Sequence, residues 1–132
     1  SRQNELALLD MTLYTSPIPN LVEELDQKIL EIVNQYSIFP RGEEYKMYCA
    51  FLHIFGGGYE AKYYSYMWAE LLEADVFQTI KKAWIFNPEI WSAYKEKILI
   101  PWTRKPAAEL FFDFMQRKPS DEALMKKYGL LA

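Results

Sequence analysis

Apolar side chains recur at helical spacing along most of this sequence of 132 residues, and prolines interrupt the pattern at intervals. The clearest example begins at Asn20, a residue favoured at helix N-caps, and continues at a 3.6-residue period to about Tyr36. Pro17 and Pro19 separate it from a preceding helix, because proline disrupts a helix interior. No segment shows a convincing strand pattern. The sequence therefore predicts an all-α fold with about seven helices joined by short loops.

Residues with capping preferences mark the ends of several of these helices. Asn87 followed by Pro88 favours a helix start, since proline suits the first helical position. Ser120 is expected to cap the last helix, and Gly129 is expected to end it. No linker or repeat divides the chain, so we expect one helical unit over residues 1–132. The expected helices cover residues 3–14, 20–36, 43–55, 60–83, 87–99, 106–115 and 120–128, with loops at 37–42 and 101–105.

Charge and composition exclude several classes of partner. The net charge is −3 and the basic residues form no extended patch, so no nucleic-acid footprint is present. No apolar run approaches the roughly 18 residues that a membrane span needs. The single cysteine, Cys49, excludes an internal disulfide and is compatible with a reducing compartment. We therefore expect a cytoplasmic protein without nucleic-acid or membrane partners, in which Cys49 is a buried small side chain.

One stretch near the middle of the chain contains the only histidine, His53, three consecutive glycines, Gly56–Gly58, and four tyrosines. On a helix starting near Tyr59, the side chains of Tyr59, Tyr63 and Tyr66 lie within about 60° of one another, because successive residues turn by about 100°. A buried phenol still needs a hydrogen-bond partner for its hydroxyl. The stripe therefore indicates either contact with a polar ligand or an ordinary contact between helices, and both interpretations remain open.

The same helix is expected to present a separate apolar face to the core. Tyr64 and Trp68 lie on that face by helical spacing. Glu70 continues the tyrosine stripe and is expected to form an ion pair. Three aspartates are expected to be helix-face or ion-pair residues: Asp10, Asp75 and Asp113.

The chemistry-bearing residues of this chain make up only part of a site. Zinc needs three or four ligands, and the sequence has one imidazole, one thiol and no H-E-x-x-H motif, so it predicts no metal site within the chain. The glycine run lacks the spacing of a phosphate-binding loop. Ser65 has no nucleophile elbow around it, so a serine triad is not supported. His53 and the tyrosines are donors without a nucleophile or metal of their own, which indicates half of a site.

The motif around these donors, H-x-F-G-G-G-Y-x-A-x-Y-Y-x-Y-x-W over residues 53–68, resembles a segment near the C-terminus of the M3 zinc metallopeptidases. Residues 8–11, 71–77 and 109–124 resemble further segments of that family, so the resemblance covers nearly the whole chain. In the family, the H-E-x-x-H helix and a third zinc-ligand glutamate lie upstream. The resemblance therefore implies the C-terminal part of a longer helical peptidase, inactive alone, whose zinc ligands lie outside these residues.

The resemblance also implies a role for each donor. Zinc polarises the scissile carbonyl in these enzymes, and the glutamate of H-E-x-x-H acts as general base. His53 and Tyr66 are implied to donate to the tetrahedral oxygen or the adjacent peptide, and Tyr59 to bind the transition state or the substrate backbone. Tyr63 is implied to bind the substrate backbone, and the Gly56–Gly58 loop to close over the peptide as a flap. The implied partners are short peptide substrates and the missing N-terminal part of the same polypeptide.

A second hypothesis is a non-catalytic helical module that binds peptides or proteins and has lost the zinc half. It predicts that peptides bind at the tyrosine stripe without being cleaved. The sequence starts at Ser1 without an initiator methionine, which favours the first hypothesis, a piece of a longer peptidase.

Overall fold

The computed structural model describes residues 2–17 and 22–131, and it confirms the all-α prediction for that part of the chain. The described residues form six α-helices and no β-strand. The expected N-cap at Asn20 lies outside the described residues. The α-helices are α1 (Arg2–Thr15), α2 (Val22–Tyr36), α3 (Ser65–Lys82), α4 (Pro88–Tyr94), α5 (Ala107–Met115) and α6 (Glu122–Lys127).

The chain divides into two compact units, Ser1–Met67 and Trp68–Ala132, and α3 begins in the first and continues into the second. In the first unit, α1 and α2 pack against each other through their apolar faces. Burying such faces is the main source of stability for helices of this length. The core of this unit consists of Leu6, Ala7, Leu9, Ile29, Val33, Tyr48, Ile54 and Tyr63.

The predicted helix over residues 43–55 is wrong. Two short 3₁₀ turns, Met47–Ala50 and Leu52–Ile54, occupy this segment instead. The reason is tertiary, because the Tyr45 hydroxyl donates to Glu5 Oε1 at 3.0 Å and the Tyr48 hydroxyl donates to Asp26. These bonds to α1 and α2 favour a compact path over a continuous helix, for which aromatic residues have modest propensity.

Three expected burials are also wrong. Cys49 is exposed, and the side chains of Tyr64 and Trp68 are 53% and 48% exposed. The expected faces assume a helix that starts near residue 60, whereas α3 starts at Ser65. The five residues before it form turns, so Tyr64 does not lie on a helix face at all.

The second unit contains most of α3 together with α4, α5 and α6, and its core is built on Val76, Ile80 and Phe111. The expected start of α4 is confirmed, since the Asn87 side chain accepts a hydrogen bond from the backbone N–H of Glu89 at 2.9 Å. A turn of π-helix, Lys95–Leu99, extends α4. None of the described helices combines the length and the apolar character that crossing a membrane requires.

Ion pairs in the second unit confirm three of the predictions made for acidic residues. Glu70 pairs with Lys127 at 3.2 Å, and Asp113 pairs with Lys105 at 2.7 Å. Asp75 is 2% exposed, and its two oxygens accept bonds from the Arg117 guanidinium at 2.5 and 2.7 Å. Ser120 also donates its backbone N–H to Asp75 at 2.9 Å. This paired carboxylate joins α3 to the segment between α5 and α6.

Candidate functional site

His53 lies at the start of a tight loop that returns to it within a few residues. The 3₁₀ turn Leu52–Ile54 carries His53, whose side chain is exposed. The backbone N–H of Tyr59 donates to the carbonyl oxygen of His53 at 3.2 Å. The intervening glycine loop is therefore closed on His53 by a backbone hydrogen bond.

The three glycines of this loop have different structural requirements. A Cβ at Gly57 would lie 2.8 Å from His53 Cα and 3.0 Å from His53 O, so the backbone approaches too closely for any other residue. Gly58 has a φ of +82°, a conformation that side chains rarely adopt. A Cβ at Gly56 would have no heavy atom within 4 Å. Two of the three glycines are thus needed to place the loop against His53.

The predicted donors converge although they do not share one helix. The rings of Tyr59 and Tyr66 stack with centroids 5.0 Å apart and planes 17° apart. The ring centroid of Tyr63 lies 5.0 Å from that of Tyr66. The ring centroid of His53 lies 6.0 Å from that of Tyr59 and 6.5 Å from that of Tyr63. We refer to His53, Tyr59, Tyr63 and Tyr66 as the His–Tyr cluster. A turn over residues 60–64, rather than a helical stripe, brings its members together.

The members of the cluster differ in accessibility. Tyr66 is 38% exposed, Tyr59 is half-buried, and Tyr63 is 8% exposed with Phe51 packed edge-on at 5.1 Å. The described residues contain no buried side-chain oxygen without a hydrogen-bond partner. Tyr63 therefore supports the cluster mainly with its buried ring, which lies against Tyr66, His53 and Phe51.

The phenols of Tyr63 and Tyr66 stay protonated at neutral pH. A side-chain hydrogen bond with Tyr59, followed by desolvation, raises the pKa of the Tyr66 phenol above its ordinary value of about 10. Burial raises the pKa of the Tyr63 phenol. Each is therefore a neutral hydroxyl that can donate a hydrogen bond to a polar ligand.

Asp10 has contacts in this region that its position on a helix face does not predict. It lies on the buried face of α1 and forms no ion pair with another described residue, and its oxygens accept the backbone N–H groups of Ala61 and Tyr63. The sequence carries a signal for this position. Asp10 lies four residues after Leu6 and three before Leu13, on the apolar face of α1, where an acidic residue requires buried donors.

No set of donors in the described ranges, 2–17 and 22–131, fits a zinc ion. Among these residues, no group of three or more histidine, cysteine, aspartate or glutamate side chains is close enough together to hold a metal. The His–Tyr cluster has one imidazole and three phenols, which is not a zinc ligand set. What the cluster offers is a set of phenol and imidazole groups that can form hydrogen bonds, with the His53 side chain exposed.

Comparison with known proteins gives consistent results along the chain. The model of the family described as "Peptidase family M3" matches residues 1–130. The chain is 37% identical over 135 residues to the probable cytosolic oligopeptidase A of Arabidopsis thaliana, covering 99% of the chain and 19% of that relative. It is 34% identical to oligopeptidase A of Salmonella typhimurium and 33% identical to that of Escherichia coli, each over 129 residues, covering 98% of the chain and 19% of the relative. The chain thus spans about a fifth of the length of these relatives.

Proposed function

This chain belongs to peptidase family M3, and from that premise we propose that it is the C-terminal part of a zinc-dependent oligopeptidase. In this proposal it supplies groups that bind the peptide and stabilise the tetrahedral intermediate. The observation that carries it is the convergence of His53, Tyr59, Tyr63 and Tyr66 in one partly exposed cluster. Three phenols and an imidazole in contact form a donor array suited to peptide carbonyl groups.

The proposed chemistry is electrostatic. When water adds to a peptide carbonyl, negative charge develops on the carbonyl oxygen, and donors already in place lower the barrier because they need not reorganise. We assign His53 and Tyr66 to this oxygen or to the adjacent peptide. The raised pKa of Tyr66 supports the assignment, because the phenol keeps its proton across the neutral range and well into alkaline pH.

The remaining members of the site are assigned to substrate binding. Tyr59 is half-buried and stacked on Tyr66, which suits a donor to the transition state or to the peptide backbone. Tyr63 contributes its hydroxyl to the substrate backbone. The Gly56–Gly58 loop, exposed along its length, is proposed to close over the bound peptide.

The proposal places zinc and its ligands elsewhere. Because the described residues do not fit a zinc ion, the metal site and the general base would lie in polypeptide outside these 132 residues. The proposed partners are therefore short peptides and the remainder of the same polypeptide, and a cytoplasmic location is part of the proposal. It follows that the 132-residue chain alone does not cleave peptides.

The test compares Tyr66→Phe with Tyr64→Phe in the full-length polypeptide. Phenylalanine keeps the ring and removes only the hydroxyl, and Tyr64 is a matched control because it is exposed and stacks on no member of the cluster. We expect Tyr66→Phe to lower kcat for a short peptide by about 10²–10³, with KM and the thermal midpoint little changed. Tyr64→Phe should stay within about twofold of wild type, as is usual for an exposed substitution.

Two outcomes would contradict the proposal. Equal rates for the two variants would mean that the Tyr66 hydroxyl does not act on the reacting peptide. A wild-type polypeptide that binds short peptides but does not cleave them, with or without added zinc, would favour the non-catalytic binding module.

A further inference from the structure

Asp10 makes an unusual set of contacts for a carboxylate. Its side chain is fully buried on α1, and one oxygen accepts the backbone N–H of Ala61 while the other accepts that of Tyr63, both at 2.9 Å. No salt bridge joins Asp10 to another described residue. Among those residues, the backbone N–H groups of Ala61 and Tyr63 are its hydrogen-bond donors. Buried carboxylates need such donors, because desolvation of the charge is costly.

We infer that Asp10 is a positioning residue for the His–Tyr cluster, acting through the backbone of the turn at residues 60–64. The inference rests on the proposed function and deepens it. It concerns where the donors are held rather than which groups touch the substrate.

The backbone path from Asp10 to the donors is short in both directions. Between the two amides that donate to Asp10, the N–H of Lys62 donates to the carbonyl oxygen of Tyr59 at 2.9 Å. On the other side, the N–H of Tyr66 donates to the carbonyl of Tyr63 at 3.2 Å. Tyr59 and Tyr66, whose rings stack, are thus each one hydrogen bond from the segment that Asp10 holds.

The segment that Asp10 holds, residues 61–63, includes a residue with a disfavoured backbone conformation. Ala61 has a φ of +55°, in the left-handed region where an alanine Cβ is disfavoured. The bond from its N–H to Asp10 opposes relaxation of this residue to negative φ. Relaxation would rotate the peptide planes between Tyr59 and Tyr63 and separate the stacked rings.

The experiment is Asp10→Asn in the full-length polypeptide, with Glu5→Gln as the matched control. Asparagine keeps the shape but turns an NH₂ group toward one of the two N–H donors. Glu5 is a second buried carboxylate on α1, and it contacts Tyr45 rather than the turn. We expect Asp10→Asn to lower kcat by about 10- to 100-fold, as for a displaced catalytic group, and Glu5→Gln to change it by less than about twofold.

Rescue distinguishes positioning from general stabilisation. Glycine adopts positive φ without a steric cost, so Ala61→Gly in the Asp10→Asn background should restore kcat at least partly. Loss of kcat in Asp10→Asn with no recovery in the double variant, or equal losses in Asp10→Asn and Glu5→Gln, would overturn the inference.

Amide hydrogen exchange provides a readout independent of activity. In the wild-type protein, the amides of Ala61 and Tyr63 should exchange much more slowly than that of Gly58, whose N–H makes only a long 3.4 Å contact to Glu60. Equal exchange rates would overturn the inference even if the variants failed to fold. If the wild-type protein shows this protection but does not cleave peptides, the proposed function fails, while the hydrogen bonds from Ala61 and Tyr63 to Asp10 are supported.

Discussion

Gly57 provides a stringent test of whether the position of His53 matters to the site. Adding a methyl group by Gly57→Ala puts a Cβ 2.8 Å from His53 Cα and 3.0 Å from His53 O. Ordinary van der Waals contact starts at 3.4 Å, so the loop or His53 must move by roughly 0.6 Å or more. Both obstructing atoms belong to the backbone and cannot rotate away as a flexible side chain could.

The expected cost follows from this geometry. Forcing a methyl group into occupied space typically costs about 1–3 kcal/mol, which should lower the unfolding free energy by that amount or shift the loop. A displacement approaching 1 Å at a catalytic donor can cost about 10²-fold in rate. We therefore expect kcat/KM for a short peptide to fall by about 10- to 100-fold in the full-length polypeptide.

Gly56→Ala is the matched control in the same loop. It adds the same methyl group where no heavy atom lies within 4 Å, so kcat/KM should stay within about twofold of wild type. If loop flexibility alone mattered, both variants would be impaired alike, because each replaces one glycine by alanine. Equal kinetics and equal thermal midpoints for the two variants would therefore refute the reasoning from the His53 contact.

Two predictions concern the second unit. Gln116 ends α5 with a φ of +55°, so Gln116→Val should lower the unfolding free energy by about 1–2 kcal/mol in chemical denaturation, since β-branched residues tolerate positive φ poorly. Burial raises the pKa of Asp75, but hydrogen bonds from Arg117 and Ser120 outweigh it and lower the pKa overall. This stabilisation is complete above the unfolded pKa of about 3.9 and is lost as the pH falls through the lower folded value. Asp75→Asn should therefore lower the unfolding free energy by about 2 kcal/mol at pH 7. This is less than for a fully buried pair, because Arg117 is 44% exposed. In urea denaturation, the unfolding free energy of the variant should also depend less on pH than that of the wild type below about pH 4.

Local sequence patterns predicted most of the helices because the forces that set those helices are local. The apolar period placed α1 and α2, and the Asn87-Pro88 pair placed the start of α4. The longer motif over residues 53–68 also contains the four residues that meet in the cluster, since the identity of donors can be read from residue types.

Only the tertiary structure decided how those donors come together. Helical spacing predicts Tyr59, Tyr63 and Tyr66 on one face of a helix, whereas a turn with Ala61 at positive φ precedes α3 and lets the Tyr59 ring stack on that of Tyr66 in the first turn of α3. The physical reason is a buried carboxylate about fifty residues earlier in the chain, Asp10, whose bonds to this turn no local window contains. The residue types of the site were thus determined by the sequence alone, and their geometry by contacts that exist only in the folded chain.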